Sequence, residues 1–385
     1  MRRNRMVSAY VVGIVPIRMS AALTAAALIA AIVGCSPASL VDTHATPTLS
    51  TPPSLQAPRL VDIAMAWPKV IPRSVDWGHL EGGMAFVESG ATPDGGLALG
   101  EATSGPRGLA IGPATLDRTT KTLSILRRFT NQQTQVVSTA GDTTWIAWVE
   151  GSLQPNFADW VLYSYNRQGG QIRKLAAAPE SHPNTPSLMI SMSRGVIVWS
   201  AVEAPDGVHH VYAINADGTA LRVLAANAKG PQIVWPWVMY DAKPTRPGAG
   251  AQMVLQNIES GEVTDLTSPT DLAYFAYDGQ SIAWITGDTN DLYLMAPIGA
   301  TPRHIYSGRY LQFVSINSRI VGWGQDKGAL AYDRKLNLIV QLSSLYDFYP
   351  VTSDSALDWL FQPDPNAGDQ FANTLQKMVN IGDLP

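Results

Sequence analysis

The chain has 385 residues, enough for two ordinary domains or one large repeat array, and 15% of them are charged, against ~25% in a typical soluble domain. Its 32 glycines and 27 prolines favour many turns over long helices. A formal charge of −4 argues against a nucleic-acid partner, and a single cysteine, Cys35, excludes an intrachain disulfide framework and any multi-cysteine metal site.

Residues 1–20 carry a basic start (Arg2, Arg3, Arg5) and a weakly apolar run, and the 13 residues 21–33 are almost wholly apolar. That run is short for a membrane span and suits the core of a signal peptide. It ends Ile32-Val33-Gly34-Cys35, which resembles the bacterial lipobox: an aliphatic residue three before the cysteine and a small residue just before it. The resemblance implies cleavage after Gly34, diacylglycerol on the Cys35 thiol and a mature chain anchored in a membrane outside the cytoplasm. Residues 1–34 are therefore expected to be a lipoprotein signal peptide. Without Arg2, Arg3, Arg5 and Arg18 the mature chain holds 23 basic against 31 acidic residues, a formal charge of −8.

Residues 35–59 follow as the lipidated cysteine and a Pro/Ser/Thr-rich stretch without hydrophobic periodicity, expected to be a tether. As a flexible coil it would span ~25–30 Å.

From Leu60 to the C-terminus the chain repeats. Aligned on an aromatic that closes a strand, the repeats fall at Phe86, Trp148, Trp199, Trp237 or Tyr240, Trp284, Trp323 and Trp359, in steps of 36 to 62 residues. The apolar lead-ins are alike, as in Ile146-Ala147-Trp148, Ile282-Ala283-Trp284 and Val321-Gly322-Trp323; Leu357-Asp358-Trp359 is a weaker member. Six residues before the tryptophan stand Asp142, Ser193, Asp278, Asn317 and Ser353, side chains that build hairpin turns. Turn formers at one fixed offset among β-branched and aromatic residues point to a β repeat. After each tryptophan come a third and a fourth strand, for example 161–163 then 171–175, 211–214 then 220–224, and 292–294 then 303–306.

Two stretches resemble the repeat of the TolB-like propellers: Val211 to Leu224, with its Tyr-x-x-Asn-x-Asp-Gly hairpin, and Phe275 to Trp284, F-A-Y-D-G-Q-S-I-A-W. The expected fold for 60–385 is an all-β, seven-bladed β-propeller of four-stranded antiparallel blades, with six or eight blades as the alternatives. Phe86 is expected to close a second strand, and Gly95 to Gly100 to be a flexible loop. Pro231 and Pro236 mark the fourth blade as irregular or short of a strand. The last blade lacks a strand, which Leu60 to Ala66 is expected to supply, closing the ring.

No nucleophile elbow, phosphate loop or metal-ligand spacing appears, so no catalytic residue, metal or cofactor is expected. His209 and His210 are adjacent in a strand and point to opposite faces. Asp364, Asn366 and Asp369 offer a faint Ca²⁺-loop cast that a polar turn explains. The aromatic candidates for partner contact are Trp235, Trp237, Tyr346 and Phe348. The resulting expectation is a lipid-anchored binding or scaffold module of the cell envelope, docking a protein or envelope polymer on one rim. The alternative is a hydrolase or lyase acting on an extracellular carbohydrate or lactone in the central channel.

Overall fold

The computed structural model describes residues 57–105, 108–152, 157–178, 189–203, 208–243, 252–266, 271–326, 328–343, 350–361 and 375–385. They form a seven-bladed β-propeller of four-stranded antiparallel blades, with a single turn of α-helix at Ile63–Ala66. In chain order the blades are 85–125, 134–177, 191–226, 228–266, 272–307, 312–341 and 351–380. The first strands of consecutive blades touch one another, so they make the inner ring.

The tryptophans lie where the repeat puts them, between blades. Trp148, Trp199, Trp284, Trp323 and Trp359 are each at most 3% exposed. Each joins the cluster formed with the preceding blade, as Trp284 does with Met239, Met253 and Leu255, and Trp323 with Ala283, Ile285 and Leu292. Burial of one indole is worth ~3–5 kcal/mol against alanine.

The turn formers act as expected and also link neighbours. Asp142 Oδ1 accepts the Thr144 and Trp145 N–H groups, while its Oδ2 accepts the Gly195 N–H of the next blade at 2.6 Å. Asn317 Oδ1 accepts the Arg319 and Ile320 N–H groups, and its amide donates to Ser353 O in the next blade at 2.8 Å. Ser193 Oγ instead accepts the Trp235 N–H of blade four.

Three expectations are corrected. Phe86 lies in the first strand of blade one, Ala85–Ala91, and packs edge-on against Trp77 at 5.3 Å. Of the glycine-rich stretch, only Gly95 and Gly96 lie in the hairpin turn, and residues 97–100 open the second strand, Leu97–Thr103. Gly100, three residues into that strand, stands where Trp148 does in Trp145–Ser152; a Cβ there would overlap the Val87 carbonyl, so no aromatic fits. Of the two alternatives for blade four, the irregular one holds: all four strands are present, with Tyr240 in the tryptophan register and a bulge between Lys229 and Gln232 absorbing Pro231.

The third correction concerns closure. Arg73–Val75 pairs antiparallel with Leu375–Asn380 and completes blade seven. Arg59–Asp62 instead lies parallel to Leu338–Gln341, as a fifth strand outside blade six. The segment between carries Trp67, fully buried and donating its indole N–H to Asp333 at 3.0 Å. An antiparallel edge pairs better than a parallel one, and Arg73–Val75 gives the ring-closing blade its fourth strand.

The closing seam, between blades seven and one, is also chemically distinct. Where the other blades place an uncharged residue before the register position (Ala147, Val198, Met239, Ala283, Gly322), blade seven has Asp358, 1% exposed. Arg118 Nη2 lies 2.6 Å from Glu88 and 2.7 Å from Asp358, and Gln376 donates to the other oxygen of Glu88. Burial raises the pKa of Asp358, and Glu88 adds to the rise while Arg118 opposes it. Arginine thus occupies the seam that Gly100 leaves without an indole.

Candidate functional site

In an antiparallel blade, first-to-second and third-to-fourth turns fall at one end, and second-to-third turns and blade-to-blade connections at the other. The ring therefore has a hairpin face and a loop face. At the loop-face end of the inner ring, the Tyr274 and Phe313 rings of blades five and six tilt against each other at 5.3 Å. Both are half-buried. Phe313 is the bulged residue between Gln312 and Val314, at φ 49°. Ten residues before its register aromatic, blade four uses Gly230 at the corresponding place, at φ 61°. A left-handed phenylalanine costs on the order of 1–2 kcal/mol, so its ring is held there against the backbone's preference. Nearby Tyr310, at φ 53°, is 67% exposed. These aromatics offer stacking surface rather than acid–base chemistry.

Trp235 and Trp237 lie elsewhere. They flank Pro236 at the tip of the first hairpin of blade four, on the hairpin face. Both are half-buried, Trp235 against the cluster of blades three and four and Trp237 against that of four and five. Tyr346, Phe348 and Cys35 lie outside the described residues, as does the stretch from Asp364 to Asp369.

His209 and His210 face opposite ways. Alternation puts His209 with Val211 and Ala213 toward blade four, and His210 with Tyr212 and Ile214 toward blade two. Burial, then Lys229 and Lys243, hold the His209 pKa down. No group of three or more His, Cys, Asp or Glu side chains is arranged to hold a metal among the described residues.

A serine, histidine and aspartate do meet on the outer strands of blade five, which sequence spacing did not reveal. His304 Nε2 lies 2.9 Å from Ser307 Oγ and 3.3 Å from Asp291 Oδ1, and Ser307 donates to the same Asp291 oxygen. One ring nitrogen serves both partners, so the imidazole is not oriented by the carboxylate to take the serine proton. The serine hydroxyl already donates to the aspartate, and the trio is a surface hydrogen-bond cluster.

Two buried carboxylates face the seam between blades one and two. Glu101 accepts the Val136 N–H at 2.7 Å, and burial pushes its pKa up to about 7. Glu150 accepts the Trp148 indole N–H at 2.7 Å and lies 3.3 Å from Arg127. Their partners are the frame of the propeller, which explains their burial without a substrate.

No family model and no curated protein sequence matches this chain. Among solved structures, an oligogalacturonate lyase from Vibrio parahaemolyticus is similar at a TM-score of 0.50, over 77% of this chain and 89% of its own, with 10% identity. An acylaminoacyl peptidase from Pyrococcus horikoshii reaches 0.49 over 74% of this chain and 51% of its own, with 13% identity. TolB from Acinetobacter baumannii reaches 0.46 over 74% of this chain and 64% of its own, with 11% identity. At such identities the likeness to the lyase shows the fold alone, a β-propeller.

Proposed function

We propose that this protein is a lipid-anchored, extracytoplasmic propeller that binds an envelope protein or polymer, a scaffold rather than an enzyme. The observation that carries the binding reading is the aromatic pair Tyr274–Phe313 at the loop-face end of the inner ring, with Phe313 held in a left-handed conformation. A left-handed phenylalanine persists only where its surroundings hold it, and such strain clusters at ligand-binding sites. The anchor rests on Ile32-Val33-Gly34-Cys35, with residues 1–34 removed and 35–59 as the tether. No helix among the described residues is long and apolar enough to cross a membrane.

Photo-crosslinking in the native envelope tests the docking rim. A crosslinker at position 274 or 313 should capture one discrete partner. The same group at Trp235 or Trp237 probes the hairpin face, and at Tyr346 or Phe348 the remaining candidates. Crosslinks confined to Trp235 and Trp237 would move the docking face to the other rim, and none at any position would sink the binding reading. The anchor is tested separately: the mature chain should begin at Cys35 with a mass increment of diacylglycerol, abolished in Cys35→Ser.

A further inference from the structure

The segment 57–75 wraps the outer edge of blades six and seven, where the described chain begins, and it gathers three of the ten exposed large hydrophobic side chains among the described residues. Leu60, Met65 and Ile71 are 50%, 64% and 89% exposed, and all three fall within twelve residues of the sequence. Within the segment Arg59, Lys69 and Arg73 are exposed against one exposed acid, Asp62, while Asp76 and Asp383 are exposed at its border. An apolar strip with three cations of its own therefore lies on a chain with more acidic than basic residues. Next to it is a concavity of about 160 Å³, lined by Lys69, Ile71, Arg73, Met378, Asn380 and Asp383 among others. Two cations flanking the most exposed aliphatic side chain suit a phosphate headgroup with acyl chain beneath it.

We propose that this edge of blades six and seven docks on an anionic lipid surface, with Ile71 and Met65 entering the headgroup boundary and Lys69 and Arg73 on lipid phosphates. The inference rests on the reading of Cys35 as the anchor, because the chain from Cys35 enters the propeller at this edge. The residues between are long enough for ~25 Å as a flexible coil, which leaves the edge within reach of the bilayer. Acidic surface elsewhere is repelled by the same lipids, so the contact also sets orientation. The loop face, at one end of the ring, is left clear for a partner.

The mature sequence from residue 35 onward carrying Cys35→Ser, which bears neither lipid nor the basic and apolar residues 1–34, tests docking apart from anchoring. It should co-sediment with phosphatidylcholine–phosphatidylglycerol vesicles and not with pure phosphatidylcholine, and release with added salt. Lys69→Glu with Arg73→Glu should weaken partition by at least about 10-fold, from roughly fivefold per lost cation. Ile71→Glu should weaken it with the melting temperature unchanged. On the chain without surface substitutions, hydrogen exchange should show vesicle-induced protection in 59–75. No binding to anionic vesicles at low salt, binding unaffected by those substitutions, or protection confined to other blades would overturn the proposal. Release by millimolar glycerol 3-phosphate would also overturn it, since that marks a site for soluble phosphate. If docking fails while the mature chain still carries diacylglycerol on Cys35, the anchor stands and only this surface is lost.

Discussion

Glu101 gives the sharpest energetic test of how the seams are built. It is 6% exposed and accepts the Val136 N–H, with burial lifting its pKa from 4.5 to about 7. A carboxyl whose pKa is raised by folding contributes stability that is fully present below its unfolded value. That stability is lost as pH rises through the folded value. The rise from 4.5 to about 7 corresponds to about 3 kcal/mol lost by pH 8, of which about 1 kcal/mol is already lost at pH 5. Glu101→Gln keeps an oxygen for Val136 and never ionises, though its amide N–H₂ brings a pH-independent cost of ~1 kcal/mol if unpaired. The diagnostic is therefore the change with pH: relative to wild type the variant should gain about 2 kcal/mol between pH 5 and pH 8. Urea unfolding followed by tryptophan fluorescence at both pH values measures it. Parallel behaviour of the two proteins across that range would refute the claim that Glu101 is a buried carboxyl with a single partner.

Other expectations follow from the same seams. Arg118→Met leaves Glu88 and Asp358 buried without a counter-charge and should cost about 3–5 kcal/mol, while adding Glu88→Gln and Asp358→Asn should recover most of it by thermal melting. Trp148→Phe should destabilise more than Trp284→Phe by about 1–3 kcal/mol, because only Trp148 donates its indole N–H, to buried Glu150. Deleting residues 57–75 strips the outer strand from Leu375–Asn380, so the chain should melt lower and form oligomers through the bared edge by light scattering.

The blade repeat was legible because one packing problem, filling a wedge between sheets, is solved with the same residue at the same offset in most blades. Asp142, Asp278 and Asn317 were readable for a similar reason: local turn capping needs a particular side chain at a particular place. The first blade was misread because its register position holds Gly100, and an alignment on aromatics slid to Phe86 instead. Its own signal was the stretch Thr92 to Leu99, T-P-D-G-G-L-A-L, which carries the Asp-Gly hairpin without the closing aromatic. Asp358 in the weakest lead-in marked the closing seam, but its partner Arg118 is 240 positions away and nothing local announces the pair. Which N-terminal strand closes the ring was illegible because Arg59–Asp62 and Arg73–Val75 are both short and amphipathic. Edge pairing is decided by the strand it meets. The Tyr274–Phe313 pair was visible only as two members of an aromatic offset; its strain is a backbone property that no side-chain pattern encodes.

If the propeller binds through its loop face, capture of a partner should need the aromatic pair of the inner ring. Co-purification from detergent-solubilised envelope, comparing wild type with Tyr274→Ala plus Phe313→Gly, decides this. Glycine suits the left-handed position, so the variant should keep its blades. A discrete partner should come with the wild type and be lost from the folded variant. The same partner recovered in the same yield by both would rule loop-face binding out.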